Sequence, residues 1–182
     1  MNFIETPLKG VYVLEPRVFG DERGFFLESW SAETFRNEGF DLKFVQDNHS
    51  RSARGILRGM HYQTEHTQGK LVRVTAGAVF DAVVDMRRDS PTLGQWYGVE
   101  LSADNHQMLW VPAGFAHGFY VLSDTADFQY KCTDVYHPES EVALAWDDPQ
   151  VGIEWPVPEG EQPQLSGKDA EGLAFAEAPL LD

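Results

Sequence analysis

The chain has 182 residues, 42% of them apolar, enough for one domain with a sizeable core. A formal net charge of -15 argues against a nucleic-acid surface and against an anionic membrane, since both need basic patches; an anionic ligand must be held by a local cluster of cations. The single cysteine, Cys132, excludes an internal disulfide and a multi-cysteine metal site. With no signal-like N-terminus and no apolar run of membrane-spanning length, the expectation is a cytoplasmic protein.

In chain order, VYVLEPRVF alternates up to the turn GDERG, and FFLESW resumes beyond it, which predicts a hairpin. Ser31 caps a short helix over AETFRNE, with Glu33 in its first turn and Gly39 past its end. From LKFVQDNHS onward the chain is a run of short alternating segments: RGILRGMHYQ, GKLVRVTAG, AVFDAVVDMR, QWYGVELS, QMLWVP, HGFYVLSD, ADFQYKCTDVY and EVALAWDD. Asp89-Ser90-Pro91, Ala103-Asp104-Asn105, Pro112-Ala113-Gly114 and Asp147-Asp148-Pro149 separate them. This spacing predicts an all-β sandwich or barrel of the jelly-roll kind. The expected arrangement is one domain over 1–182, with a core of about 1–155 and an extended segment, 156–182, packed on it.

Strand parity gathers polar groups. In GKLVRVTAG, Lys70 shares a face with Val72 and Val74, a costly place for an ammonium unless it reaches water or meets an anion. His117 shares a face with Phe115, Phe119 and Val121; Tyr130 with Phe128, Cys132, Asp134 and Tyr136; Gln46 with Asn48 and Ser50. Singly, each polar group could be a hydrogen-bonded core residue. A barrel with one polar mouth would instead collect His61, Lys70, His117 and Tyr130. Arg58 and His61 are an odd number of residues apart, so both can face that cavity only if Gly59 forms a bulge.

PAGFAH (Pro112 to His117) looks like half of the cupin metal motif, but its other half reads HYQ here, with Gln63 where a second histidine belongs. Two imidazoles fall one short of a usual three-ligand catalytic site, so no metal is expected. The groups retained suit acid–base chemistry beside a carbonyl: an imidazole base, a phenol acid, and a lysine for the developing oxyanion. A carboxylate partner for the base could be Asp81, Asp85 or Asp169, and Asp169 could equally belong to a helix cap begun by Ser166. Spacing leaves that choice open.

The blocks GDERGFFLESW, FVQDNHS, LRGMHYQ, QGKLVRV, VFDAVVDMR, SPTLGQW, LSADN, VPAGFAHGF, YKCTDVYHPESE, WDDP and LSGKD, in order from about Arg17 to Asp169, closely resemble the dTDP-4-dehydrorhamnose 3,5-epimerase family. The resemblance implies a cupin-type jelly roll, a homodimer, no metal or organic cofactor, and inversion of both carbons flanking the ketone of dTDP-4-dehydro-6-deoxyglucose on the route to dTDP-L-rhamnose. It implies His61 as general base, Asp169 as its partner, Tyr130 as general acid, Lys70 as stabiliser of the enolate oxygen, and His117 as a substrate contact. It places nucleotide and phosphate contacts at Arg23, Glu28, Gln46, Asp47, Asn48, Arg58, Glu141 and Lys168, with Phe26 and Tyr136 near the thymine. Met60 stands where leucine is more usual, a conservative apolar exchange. A single-centre epimerase or isomerase of a related dTDP-4-keto-6-deoxy sugar, and a non-catalytic nucleotide-sugar binding cupin, are the alternatives.

Overall fold

The computed structural model describes residues 1–182. Its strands are β1 (Asn2–Glu5), β2 (Tyr12–Glu15), β3 (Val18–Asp21), β4 (Gly24–Leu27), β5 (Gln46–Ala53), β6 (Leu57–Gln63), β7 (Lys70–Ala76), β8 (Ala78–Asp85), β9 (Trp96–Ser102), β10 (Met108–Val111), β11 (Phe115–Val121), β12 (Thr125–Cys132) and β13 (Glu141–Ala143). Two short helices, α1 (Ala32–Asn37) and α2 (Gly167–Ala170), complete it. Six strands form one sheet in the order β1-β2-β10-β7-β12-β5, and five form the other, β13-β6-β11-β8-β9. All named strand pairs are antiparallel, as the spacing of turns and alternating segments predicts for a jelly-roll sandwich.

Alternation along the strands divides the apolar residues into three clusters. Between the sheets lie Val72 and Val74 of β7, Phe128 of β12, Val79 and Val83 of β8, and Phe115 and Phe119 of β11. The outer face of the six-stranded sheet, carrying Leu14, Leu71 and Trp110, is covered by Phe35 of α1 with Phe3, Phe40 and Phe44. The outer face of the five-stranded sheet, with Met60, Tyr62, Val84 and Ala116, is covered by Leu144, Val151, Phe175, Ala178 and Leu181. The segment beyond Trp155 is thus wall material for the second sheet, pinned by Leu181 N–H to the Met86 carbonyl (2.9 Å) and Leu173 N–H to the Ala143 carbonyl (2.8 Å).

Several boundaries differ from the sequence expectation: FFLESW ends as a strand at Leu27, LKFVQDNHS becomes one only at Gln46, and EVALAWDD stops at Ala143. Strand β1 carries no strong alternation of its own; it forms because β2 offers it a partner. VYVLEPRVF is two strands rather than one, because Pro16 has no N–H to continue a ladder; β2 joins the large sheet and β3 pairs only with β4. ADFQYKCTDVY ends as a strand at Cys132, so Tyr136 reaches its place by another route, described below.

The bulge expected at Gly59 is present. His61 pairs with His117 and Arg58 with Phe119, so three residues of β6 span two of β11 and both side chains turn inward. The position demands glycine: φ is +133°, and a Cβ would lie 2.5 Å from Gly118 Cα. Gly59→Ala is expected to lower the unfolding free energy by about 3 kcal/mol, the sum of backbone strain and overpacking, with urea denaturation as the measurement.

Candidate active site

The space between the sheets opens as two adjoining compartments of about 410 and 480 Å³, which share Ser50, His61, Lys70 and Tyr130. The first extends to Gln46, Asn48, Gln68, Tyr136 and Glu141. The second extends to Arg58, His117, Phe119, Phe128 and Asp169. Of the four polar groups collected by parity, His61, Lys70 and Tyr130 therefore converge where the compartments meet, and His117 stands beside them in the second. Facing is decided by the sheets: His61 and His117 are register partners in the five-stranded sheet, while Lys70 and Tyr130 stand on neighbouring strands of the six-stranded sheet opposite.

The choice among three aspartates is resolved by packing. Asp85 is consumed by Arg87 (2.7 Å), Ser90 (2.6 Å) and Thr92 (2.7 Å). Asp81 meets His117 Nε2 at 3.0 Å. Asp169 Oδ1 lies 2.6 Å from His61 Nε2, close enough for an ion pair, although the oxygen sits off the ring N–H axis and Nε2 has no aligned hydrogen bond. Both readings of Asp169 hold at once: Ser166 caps α2 by accepting from the Asp169 N–H (3.2 Å) and donates its hydroxyl to Asp169 Oδ2 (2.7 Å). The cap thus aims the carboxylate.

Electrostatics follow from burial. Removal from water lowers the Lys70 pKa, opposed by Cys132, Glu141 and Asp81. Its ammonium reaches only the His61 carbonyl, at 3.5 Å, and has no carboxylate partner. Desolvation raises Tyr130 above the ordinary phenol value, with a smaller downward pull from Asn48, so it stays a proton donor. Burial pushes the Cys132 thiol up to about 11, which keeps it neutral beside Lys70. Glu141 gathers Tyr136 (hydroxyl to Oε2, 2.5 Å) and Lys168, and its Oε1 lies 4.0 Å from His61 Nδ1. Tyr136 is also held by its N–H to Gln46 Oε1 (2.9 Å), which carries it to the cavity although β12 has ended.

Not every expected site residue reaches this cavity within one chain. Asp47 faces outward, paired with Lys131 (2.9 Å), because strand alternation separates it from Gln46 and Asn48. Arg23 sits at the tip of the β3–β4 hairpin, paired with Asp21, and Phe26 is 69% exposed. Glu28 accepts the Thr34 hydroxyl at 2.9 Å. Lys168 joins only through Glu141. Ser52, unremarked in the sequence, accepts from Arg58 Nε (3.0 Å) and fixes that guanidinium; its even spacing from Gln46, Asn48 and Ser50 was the available signal. Gln63, at the missing-histidine position of the metal motif, is buried and spends its amide on the His66 (2.7 Å) and Val135 (3.2 Å) carbonyls.

Burial alone would raise the carboxyls of Asp169 and Glu141, but the close His61 ring and the Ser166 hydroxyl at the first, and Lys168 and Tyr136 at the second, hold both below their ordinary values. A carboxyl depressed in the native state contributes stability above its unfolded pKa and loses it as pH falls through the native one. Thermal stability should therefore be flat above about pH 5 and decline below the ordinary carboxylate range. In Asp169→Asn that acid decline should be shallower, as measured by melting temperature against pH.

The family model for dTDP-4-dehydrorhamnose 3,5-epimerase matches residues 5–177. The Pseudomonas aeruginosa dTDP-4-dehydrorhamnose 3,5-epimerase is 57% identical over 179 residues, covering 98% of each chain. The Salmonella typhimurium enzyme of that name is 53% identical, covering all of this chain and 96% of its own. A solved structure of dTDP-6-deoxy-D-glucose-3,5-epimerase from Legionella pneumophila, in complex with dTDP-4-keto-L-rhamnose, is similar to this chain at TM-score 0.94 and 55% identity, covering 98% of this chain and 94% of that one. With the shared cupin-type sandwich and near-complete coverage, the chain belongs to the dTDP-4-dehydrorhamnose 3,5-epimerase family.

Proposed function

We propose that the chain inverts both carbons flanking the keto group of dTDP-4-dehydro-6-deoxy-D-glucose, giving dTDP-4-dehydro-L-rhamnose, through an enolate and without a cofactor. The observation that carries the reading is the opposition of His61 on one sheet to Lys70 and Tyr130 on the other across a shared cavity. Asp169 occupies the Nε2 side of His61, so Nδ1 is the nitrogen left to take a proton from the α-carbon. The C–H electrons move into a carbon–carbon double bond, and the carbonyl oxygen gains the charge. Lys70, lacking a carboxylate, is the cation that meets it. Tyr130 then delivers its proton from the other face, inverting the centre, and solvent restores both groups. The same set serves the second flanking carbon.

The nucleotide side is proposed to use Tyr136 against the thymine, Gln46 and Asn48 along the wall, and Arg58 and Lys168 toward phosphate. Arg58 has no carboxylate partner, so its fork is available to an anion despite the acidic whole.

In heavy water, turnover should place deuterium at both C3 and C5, seen by NMR of the ring protons. Incorporation at one carbon would instead identify a single-centre epimerase. His61→Ala and Tyr130→Phe should each lower kcat by about 10³-fold while leaving dTDP affinity nearly intact; full activity in purified His61→Ala would remove the base assignment.

The working form is proposed to be a homodimer in which the β3–β4 hairpin of each chain completes its partner's cavity with Arg23 and Phe26. Support comes from the hairpin itself: Phe25 is 63% and Phe26 69% exposed, and neither Arg23 nor Phe26 lines its own chain's cavity. Mixing Arg23→Ala with His61→Ala should then restore activity, since each hybrid dimer contains one site with both residues intact. Sedimentation as a monomer, or no recovery on mixing, would contradict the arrangement.

A further inference from the structure

Asp81 is a carboxyl with 0% exposure that the proton transfers above do not use. It lies on β8 between Val79 and Val83, whose side chains fill the space between the sheets, so it points the same way. Both its oxygens reach His117 Nε2, at 3.1 and 3.0 Å. Two oxygens straddling one ring nitrogen is the geometry of a carboxylate accepting an N–H, which leaves Nδ1 bare. Burial raises the Asp81 carboxyl above its ordinary value, and His117 and Lys70 pull it back. The imidazole has little room to swing: it stacks on Phe128 (6.0 Å, 27°), which stacks in turn on Phe119 (4.2 Å). His117 lines the second compartment with Arg58, His61 and Lys70.

We propose that Asp81 is a positioning residue: by holding His117 in its Nε2–H tautomer, it presents Nδ1 as a fixed acceptor for the sugar hydroxyl beside the ketone. The inference rests on the epimerase reading and deepens it. Of the two carbons flanking the ketone, C3 carries a hydroxyl and C5 a methyl group, so an acceptor at His117 orients the ring chiefly for proton removal at C3. Loss of the carboxylate frees the tautomer, and a misplaced reacting carbon costs about 10²-fold in rate.

The test follows deuterium entry at C3 and C5 separately, in heavy water, for the unsubstituted enzyme and for Asp81→Asn. The expected result is a C3 rate about 10²-fold lower with a smaller loss at C5, so that the ratio of the two shifts. Equal slowing at both carbons, or none, would overturn the proposal, because a merely structural defect does not discriminate between them. Absence of exchange in the unsubstituted enzyme would count against the epimerase reading instead. Should Asp81→Asn not fold, ¹⁵N-histidine spectra of the unsubstituted protein decide: His117 must show a protonated Nε2 and a bare Nδ1, and a protonated Nδ1 would overturn the assignment.

Discussion

An ammonium enclosed between two sheets, with no carboxylate of its own, is the condition on which the rest of the site depends. Around Lys70 the carboxylates are already engaged: Asp169 at His61, Asp81 at His117, and Glu141 at Tyr136 and Lys168. Each of these pairings gives its carboxylate a hydrogen-bond or ion-pair partner other than Lys70. The ammonium is left with a long contact to a backbone carbonyl, and burial lowers its pKa. In the proposed mechanism, a negative charge appearing on a bound carbonyl oxygen meets a donor with little else to lose, in a place where water screens poorly. In a chain of net charge -15 whose fully buried acids are all aspartates, Lys70 is a cation that stands between the sheets without a carboxylate of its own.

The inward-facing set was largely legible in the sequence because alternation is a local property. Lys70, Tyr130 and His117 declare their faces through the valines and phenylalanines two residues away, and the only ambiguity, Arg58 against His61, is marked by Gly59. What alternation cannot supply is partnership between distant segments. Asp81, Asp85 and Asp169 all looked plausible beside His61, and what separates them is where Arg87 and His117 fall and how α2 docks under β6. Those are products of tertiary packing. Tyr136 shows the same limit from the other side: its parity with Tyr130 assumed a strand that stops at Cys132, yet Gln46 recovers its backbone N–H and returns it to the cavity.

Asp47 is the reverse case. The resemblance attaches a ligand contact to the run from Gln46 to Asn48, but a β-strand cannot turn three consecutive side chains to one face. The middle residue goes to the outer surface, where Lys131 takes it. Gln63 makes a similar point about substitution in a motif. Occupying the place of a metal-binding histidine, it ties the 65–66 and 135–137 turns together through both ends of its amide, with the His137 N–H donating to Oε1 at 3.0 Å. At the ligand position of the motif this chain has a brace for the wall carrying Tyr136 and Glu141.

Pro16 links this local chemistry to the larger assembly. By ending the ladder after Glu15, it releases Val18 to Leu27 from the six-stranded sheet, and the hairpin that results leaves Phe19, Phe25 and Phe26 half or more exposed. Two-stranded ribbons of that length are marginal alone. Their persistence needs a surface to lie on, and Phe25, packed only against His106 at 4.6 Å, finds little of it at home. The break in the ladder is therefore what leaves Arg23 and Phe26 on an exposed hairpin, outside the cavity of their own chain.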